Sequence, residues 1–166
     1  MKTNIAIDNL QSQRLLRCGV SADTADMHWH GAIVPRGGSL TSMPEPSEEW
    51  DLWVTPYSCM PEEMQTAKLM EDYNEIVPAW SLSALLGLLP FKIHNGKYEY
   101  WLDIAPMDYG KQWSIGYYCM EKPKVIKGLT QTDSLIECAV QEIEWLAANG
   151  YKLNDCPCQE KGGIEQ

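Results

Sequence analysis

The sequence predicts an α+β fold in which an antiparallel β-meander of three or more strands carries helices packed mainly on one face. Three observations predict it. Apolar and polar side chains alternate over residues 97–104 and again over residues 113–119, which is the period of half-buried strands. Asn95-Gly96 precedes the first of these segments and is a strong hairpin signal. Residues 81–89 and 130–148 carry helix caps and apolar stripes.

In the first part of the chain, Asp8 and Gln11 have the spacing of a capping box, which predicts a helix that ends at Gly19. A capped turn over residues 21–27 then leads into a strand that begins near Met27. Residues 50–57 are rich in β-formers and predict another strand. A helix is predicted from Pro61 to about Ile76.

Ser81 is a good N-cap, and Trp80 and Leu85 stand at the two positions of a hydrophobic staple. The helix that follows is apolar on nearly all sides, which predicts that it is buried, and Pro90 ends it.

After the meander, whose last turn is Asp108-Tyr109-Gly110, a final helix is predicted. It begins at Thr130 or Thr132 and closes at Asn149-Gly150. Its apolar stripe should lie across the buried face of the meander. The opposite side of this helix carries a short polar stripe: Glu137, Gln141 and Glu144.

The length of 166 residues fits one domain, predicted over residues 1–154. Residues 35–49 are predicted to form a flexible loop because prolines, glycines and hydroxyl side chains dominate them, and residues 155–166 a polar tail. No apolar run is long enough to span a bilayer, and the first ten residues lack the apolar block of a secretory signal. We therefore expect a soluble, cytoplasmic protein.

The formal net charge is -10, from 13 basic and 23 acidic side chains. This charge repels phosphate backbones, so direct nucleic-acid binding is not expected and a basic partner is favoured. The familiar glycine-rich, nucleophile-elbow and HExxH motifs do not occur, so the sequence predicts no cofactor and gives no catalytic residue.

His28 and His30 are candidate metal ligands, together with Asp26, because alternate residues of a strand share one face. Two histidines do not complete a recognised zinc or iron pattern, so packing or surface roles remain the alternative. Cys156 and Cys158 form a C-x-C pair without a partner pair, which is typical of free thiols on a tail.

The aromatic composition is unusual, with seven tryptophans and eight tyrosines but one phenylalanine. Trp101 belongs to the side of its predicted strand opposite Tyr98 and Tyr100, beside Glu99 and Asp103. Tryptophan is enriched in binding hot spots, so these three residues, Trp101, Glu99 and Asp103, are the candidate interaction surface.

Three stretches of sequence together resemble a group of small uncharacterised proteins carried by phages and mobile elements of anaerobic gut bacteria. They are QRLLRCGV (13–20) leading to TADM (24–27), PAWSLSALL (78–86), and DSLIE (133–137) continuing to WL (145–146). These blocks describe helix caps and core residues. The resemblance therefore implies a fold and a genomic setting, with no activity attached.

The leading hypothesis is a non-catalytic binding or accessory protein of a phage or mobile element, which contacts a protein partner or a second copy of itself. One alternative is a small metal-dependent hydrolase that uses the His28 and His30 region. Another is an acidic mimic of nucleic acid, for which the sequence offers only the short polar stripe of the last helix.

Overall fold

A computed structural model describes residues 5–34, 47–59, 74–121, 124–126 and 130–154. These residues form three α-helices and two antiparallel sheets, which confirms the predicted α+β class and its meander. The helices are α1 (Asn9–Arg17), α2 (Leu82–Leu88) and α3 (Leu135–Ala148). The first sheet has the order β2-β1-β3, with β1 (Met27–Val34), β2 (Ser47–Trp53) and β3 (Asn74–Ala79).

The second sheet is the meander, with the order β4-β5-β6-β7 and with β8 also paired to β6. Its strands are β4 (Lys92–Asn95), β5 (Tyr98–Met107), β6 (Gln112–Cys119), β7 (Lys124–Val125) and β8 (Thr130–Thr132). Helix α3 packs on β6 and β8, and it also contacts α1 and α2. Together they enclose the buried cluster that includes Tyr100, Tyr117 and Leu146.

Helix α1 begins as predicted. The backbone N–H of Gln11 donates to the Asp8 carboxylate at 2.8 Å, and the Gln11 side chain accepts from the Asp8 backbone N–H at 3.0 Å. This reciprocal capping box satisfies two backbone donors that a helix start otherwise leaves without partners. The helix ends at Arg17, just before the predicted stop at Gly19.

The first sheet differs from the prediction at β3. A helix was expected to end near Ile76, but Asn74–Ala79 is a strand that pairs along β1, with Val77 opposite Trp29. Pairing with β1 satisfies the backbone hydrogen-bonding groups of β3. Because β1 is distant in sequence, local patterns do not indicate this pairing. The rest of that predicted helix, residues 61–73, lies outside the described residues.

The predicted loop over residues 35–49 extends too far, because β2 already begins at Ser47. Residues 35–46 of that loop lie outside the described part of the chain. The strand expected over residues 50–57 is present but ends at Trp53, and a single 3-10 turn occupies Tyr57–Cys59.

Helix α2 follows its predicted cap closely. The Ala84 backbone N–H donates to the Ser81 hydroxyl at 3.2 Å, and the staple residues Trp80 and Leu85 are both fully buried. At its other end, Asn154 donates from its backbone to the Leu88 carbonyl and from its side chain to the carbonyls of Gly87 and Leu89. The carbonyls that the end of α2 leaves without intrahelical partners are thereby satisfied.

The hairpin between β4 and β5 turns one residue later than predicted. Asn95 pairs with Tyr98, so Gly96 and Lys97 are the two turn residues, in place of Asn95-Gly96. Gly96 has φ +63°, whereas neither neighbour has a positive φ. A two-residue turn that needs positive φ only at its first position favours glycine there, which explains the register.

The last helix also begins later than predicted. Ser134 is its N-cap and accepts from the Glu137 backbone N–H at 3.4 Å. Thr130 and Thr132 instead belong to β8 and pair with Ile115 and Trp113 of β6. β-branched residues favour strands where a partner strand is present, and that partner is remote in sequence. The predicted C-terminal end of the helix at Asn149-Gly150 is confirmed.

The turn between β5 and β6 is left-handed over three consecutive residues, with φ of 45° at Asp108, 56° at Tyr109 and 85° at Gly110. The Tyr109 side chain is fully exposed. A left-handed backbone costs a non-glycine residue on the order of 1 kcal/mol, and asparagine tolerates it best. Tyr109 therefore carries strain that no buried side-chain contact offsets.

We expect Tyr109→Asn to raise the free energy of unfolding by about 0.5–1 kcal/mol, because it relieves the strain and removes no buried contact. Urea denaturation followed by circular dichroism measures the change. Tyr109→Phe keeps the strain and should leave the stability unchanged. Equal stability of Tyr109→Asn and the parent protein would contradict the prediction.

Candidate interaction surface

The meander has an inner face covered by α3 and an opposite outer face. On β5 and β6, Tyr100 and Tyr117 point inward and are buried, so their neighbours Trp101 and Tyr118 point outward. Trp101 and Tyr118 are paired in register, and each remains 36 % exposed. This placement agrees with the predicted exposure of Trp101.

Phe91, just before β4, contacts the same tryptophan. Its ring meets the Trp101 ring edge-on, with centroids 5.2 Å apart and an angle of 84° between the planes. Phe91 is 68 % exposed, so it is held against Trp101 at the surface and not in the core. We call Phe91, Trp101 and Tyr118 the aromatic patch.

Charged side chains surround the aromatic patch. The Lys92 ammonium lies 5.6 Å from the centroid of the Trp101 ring and 3.1 Å from the Glu99 carboxylate. The ion pair is largely exposed and contributes little to stability, but both contacts hold Lys92 beside the tryptophan. Asp103 is exposed and lies opposite Gly116 of β6. The three residues predicted as an interaction surface thus lie together, on successive outward positions of β5.

The sequence did not assign Phe91 or Tyr118 to this surface. The alternation along β6 placed Trp113, Ile115 and Tyr117 inward and so implied an outward Tyr118. The pairing of Lys92 with Trp101 does not by itself imply the contact of Phe91 with Trp101, because strand alternation would place Phe91 and Lys92 on opposite faces. Phe91 stands just before β4, where strand alternation no longer sets the direction of its side chain.

The metal-ligand candidates have other roles in the described structure. His28 is 2 % exposed, its Nδ1 lies 2.9 Å from the Thr55 carbonyl oxygen, and its ring stacks on Trp53. The Asp26 carboxylate accepts from both the backbone N–H and the hydroxyl of Ser81. The backbone of His30 lies in β1, and its side chain is outside what the structure describes.

Within the residues whose side chains are described, no three His, Cys, Asp or Glu side chains come together as a set of metal ligands. Cys156 and Cys158 lie outside the described range. None of the helices in the described ranges is both long and apolar enough to cross a membrane.

The polar stripe of α3 was predicted on the far side of the helix, but α1 covers it. Arg14 of α1 bridges Glu137 at 2.9 Å and Glu144 at 2.6 Å. Gln11 and Gln141 also donate to the Glu137 carboxylate. The stripe is therefore a helix-to-helix contact, which local periodicity cannot reveal because α1 lies more than a hundred residues away in sequence.

The pKa values in this contact shift in opposite directions. The hydrogen bond to Glu144 is the main cause that raises the pKa of Arg14. Burial tends to raise the pKa of Glu137, but the hydrogen bonds from Gln141, Gln11 and Arg14 outweigh it, and the net shift is downward. Both shifts favour the charged forms, as expected for an ion pair.

Because the pKa of Glu137 is lower in the folded state, its stabilising contribution is complete above its ordinary pKa and is lost as the pH falls through the folded value. We expect Glu137→Gln to be less stable than the parent by about 1 kcal/mol at neutral pH. The difference should narrow over the acidic range, as the pH falls below the ordinary pKa of a glutamate carboxyl. Urea denaturation across that range measures it, and a difference that is independent of pH would contradict the assignment.

A buried carboxylate was not anticipated from the sequence. Glu142 of α3 is fully buried and accepts from the Thr130 hydroxyl at 2.9 Å. Burial, aided by the charge of Glu142, raises the pKa of Tyr117, whose hydroxyl donates to the Pro90 carbonyl at 2.7 Å. The signal was present, because Glu142 has the helical spacing of the buried Ala139 and Leu146.

No protein-family model, curated protein or solved structure was found to match the chain.

Proposed function

We propose that this protein is a non-catalytic binding protein, and that it binds a positively charged protein partner through the aromatic patch. The observation that carries the proposal is the position of Trp101. It lies on the outer face of the meander, partly exposed, between Phe91 and Tyr118. The resemblance noted above adds the proposal that the protein serves a phage or mobile element as an accessory factor.

The aromatic patch has the properties of a binding hot spot. Large aromatic side chains dominate the energy of protein interfaces when they lie at the centre of a contact. Trp101 is also held in place before binding, by the edge-on contact with Phe91 and by the Lys92 ammonium. A side chain that is already ordered loses less conformational entropy when a partner covers it.

The charge of the chain favours a partner of opposite sign. With a formal net charge of -10, two copies of this protein repel each other at long range, whereas a basic protein is attracted. The proposal therefore favours a heterologous partner over a homodimer.

The two alternative functions have less support. A metal-dependent hydrolase in the His28 and His30 region would also use Asp26. Asp26 instead binds Ser81, and His28 is buried against Trp53. A mimic of nucleic acid would need acids that face solvent at regular spacing. Glu137 and Glu144, the predicted acids of that kind, are instead paired with Arg14.

A selection with a library of random displayed peptides tests the proposal. The parent protein is immobilised, binding peptides are selected, and their affinity is measured by calorimetry for the parent, for Trp101→Ala and for Leu10→Ala. Leu10 is the matched control because it is an exposed apolar side chain of α1, away from the meander.

We expect the selected peptides to be basic and to lose affinity by about 30-fold on Trp101→Ala, since a hot-spot residue contributes about 2 kcal/mol or more. Leu10→Ala should leave their affinity unchanged. Circular dichroism of each variant checks that it is folded. Peptides that bind Trp101→Ala as tightly as the parent would refute the proposed function.

A further inference from the structure

The strand β5 has one edge that the described strands leave partly uncovered. On one side, β6 pairs with β5 from Trp101 to Met107. On the other side, β4 pairs only from Tyr98 to Trp101, and one further bond joins the Leu102 N–H to the Phe91 carbonyl. Beyond that bond, no strand in the described ranges pairs with this side of residues 103–107. We call this stretch the free edge.

The direction of the backbone groups follows from the same bond. In an antiparallel strand, alternate residues turn their N–H and C=O toward the same neighbour. The Leu102 N–H points toward β4, so Ile104 turns both its N–H and its C=O toward the free edge. Pro106 comes next in this series and offers a carbonyl but no N–H. The free edge therefore has a short, defined set of hydrogen-bonding groups.

The side chains along the free edge are acidic and apolar. Asp103 and Asp108 are exposed, Ile104 is 36 % exposed, and residues 102–108 contain no basic side chain. The aromatic patch adjoins this stretch, because Trp101 immediately precedes it and Phe91 bonds to Leu102.

We propose that the binding segment of the partner adds to the free edge of β5 as an extended strand, with basic side chains beside Asp103 and Asp108. This inference rests on the proposed function, since the same segment would cover Trp101. Strand addition supplies affinity through backbone hydrogen bonds and specificity through alternate side chains. Here the hydrogen bonds involve Ile104, while the acids and the aromatic patch select the partner.

The charge of the chain favours a basic segment of another protein as the occupant. A second copy of this chain would bring its own Asp103 and its own charge of -10 to the same edge. Pro106 also limits the hydrogen-bonded ladder, because an incoming carbonyl finds no donor there. Edge prolines hinder indiscriminate sheet-to-sheet pairing, so the edge suits a short segment better than a full sheet.

The first measurement is amide hydrogen exchange by NMR on the parent protein, with and without a basic peptide from the selection described above. The Ile104 N–H should exchange quickly in the free protein and at least about tenfold more slowly in the complex, as a newly hydrogen-bonded amide does. An Ile104 exchange rate that the peptide leaves unchanged would overturn the inference.

The second measurement compares Ile104→Pro with Ile104→Val. Proline removes the N–H at an edge position that tolerates it, whereas valine keeps the N–H and most of the side chain. We expect Ile104→Pro to weaken peptide binding by about tenfold, as for the loss of one interfacial hydrogen bond, and Ile104→Val to bind normally. Asp103→Asn should also weaken binding of the same basic peptide. It provides the test if Ile104→Pro does not fold.

The outcomes separate the two proposals. If Trp101→Ala abolishes binding while Ile104→Pro, Asp103→Asn and the Ile104 exchange rate show no effect, strand addition is wrong and the proposed function stands. If Trp101→Ala has no effect, the proposed function itself fails. The Ile104 N–H could also exchange slowly without peptide, at a rate that depends on protein concentration. That result would show that a second copy occupies the free edge, and it would also overturn the inference.

Discussion

Replacement of Trp80 with alanine is expected to lower the free energy of unfolding by about 3–5 kcal/mol, the range typical of a large buried aromatic side chain. Trp80 is fully buried, and its indole N–H donates to the Thr24 hydroxyl at 2.8 Å. Its carbonyl accepts from the Ile7 backbone N–H at 3.1 Å. The residue therefore joins the end of β3, the start of α2 and the segment before α1.

Urea denaturation followed by circular dichroism measures this loss. Trp101→Ala is the matched control, since it removes the same side chain from the surface and should cost no more than about 1 kcal/mol. Trp80→Phe keeps most of the side-chain volume but loses the hydrogen bond to Thr24. Its loss of stability should lie between those of Trp80→Ala and Trp101→Ala. A Trp80→Ala protein as stable as Trp101→Ala would show that Trp80 does not fill the core.

Asp26→Ala is expected to lower the free energy of unfolding by about 2–4 kcal/mol. The Asp26 carboxylate accepts from the Ser81 backbone N–H at 2.8 Å and from the Ser81 hydroxyl, which itself caps α2. Ser81 is buried, so removal of the carboxylate leaves its donors without this partner in a place that water reaches poorly. Hydrogen bonds to a charged group are also stronger than neutral ones.

Asp23→Ala is the control for this variant because Asp23 is an exposed acid three residues away, and its loss should change stability by no more than about 0.5 kcal/mol. Thermal or urea unfolding of both variants is run with and without a metal chelator. A structural role for Asp26 predicts the same loss in both conditions. A parent protein that the chelator destabilises as much as Asp26→Ala does would instead support a metal at this position.

The elements that the sequence predicted correctly are those determined by nearby residues. The caps at Asp8 and Ser81 bind backbone groups within three residues, and the close at Asn149 likewise depends on the last helical turn. The outward position of Trp101 followed from a period of two. Such signals lie within a single element and need no knowledge of its neighbours.

The errors share the opposite cause. The local pattern predicts the end of a helix where β3 lies, because β3 depends on its partner β1, about forty-five residues earlier. It predicts the start of a helix where β8 lies, because β8 depends on its partner β6. The polar stripe of α3 was placed in solvent because its partner Arg14 lies on α1. In each case a contact between remote segments outweighed a local preference.

The candidate interaction surface likewise has a part that local sequence patterns predict and a part that they do not. The exposure of Trp101, Glu99 and Asp103 was predictable from alternation along one strand. The aromatic patch was not predictable, since it depends on the β5–β6 register that brings Tyr118 beside Trp101 and on the ring contact that Phe91 makes from just before β4. The free edge of β5 depends on where β4 stops pairing, which no pattern within β5 reports.

The pairing of Arg14 with Glu137 and Glu144 has a consequence for synthesis on the ribosome. The chain emerges from its first residue onward, so α1 leaves the exit tunnel long before α3 has been translated. Until then Arg14 lacks the carboxylates that it binds in the folded protein, and the buried side of α1 lacks the helix that it packs against. The domain therefore completes its fold only after α3 has left the tunnel, and until then the side of α1 that α3 covers is exposed.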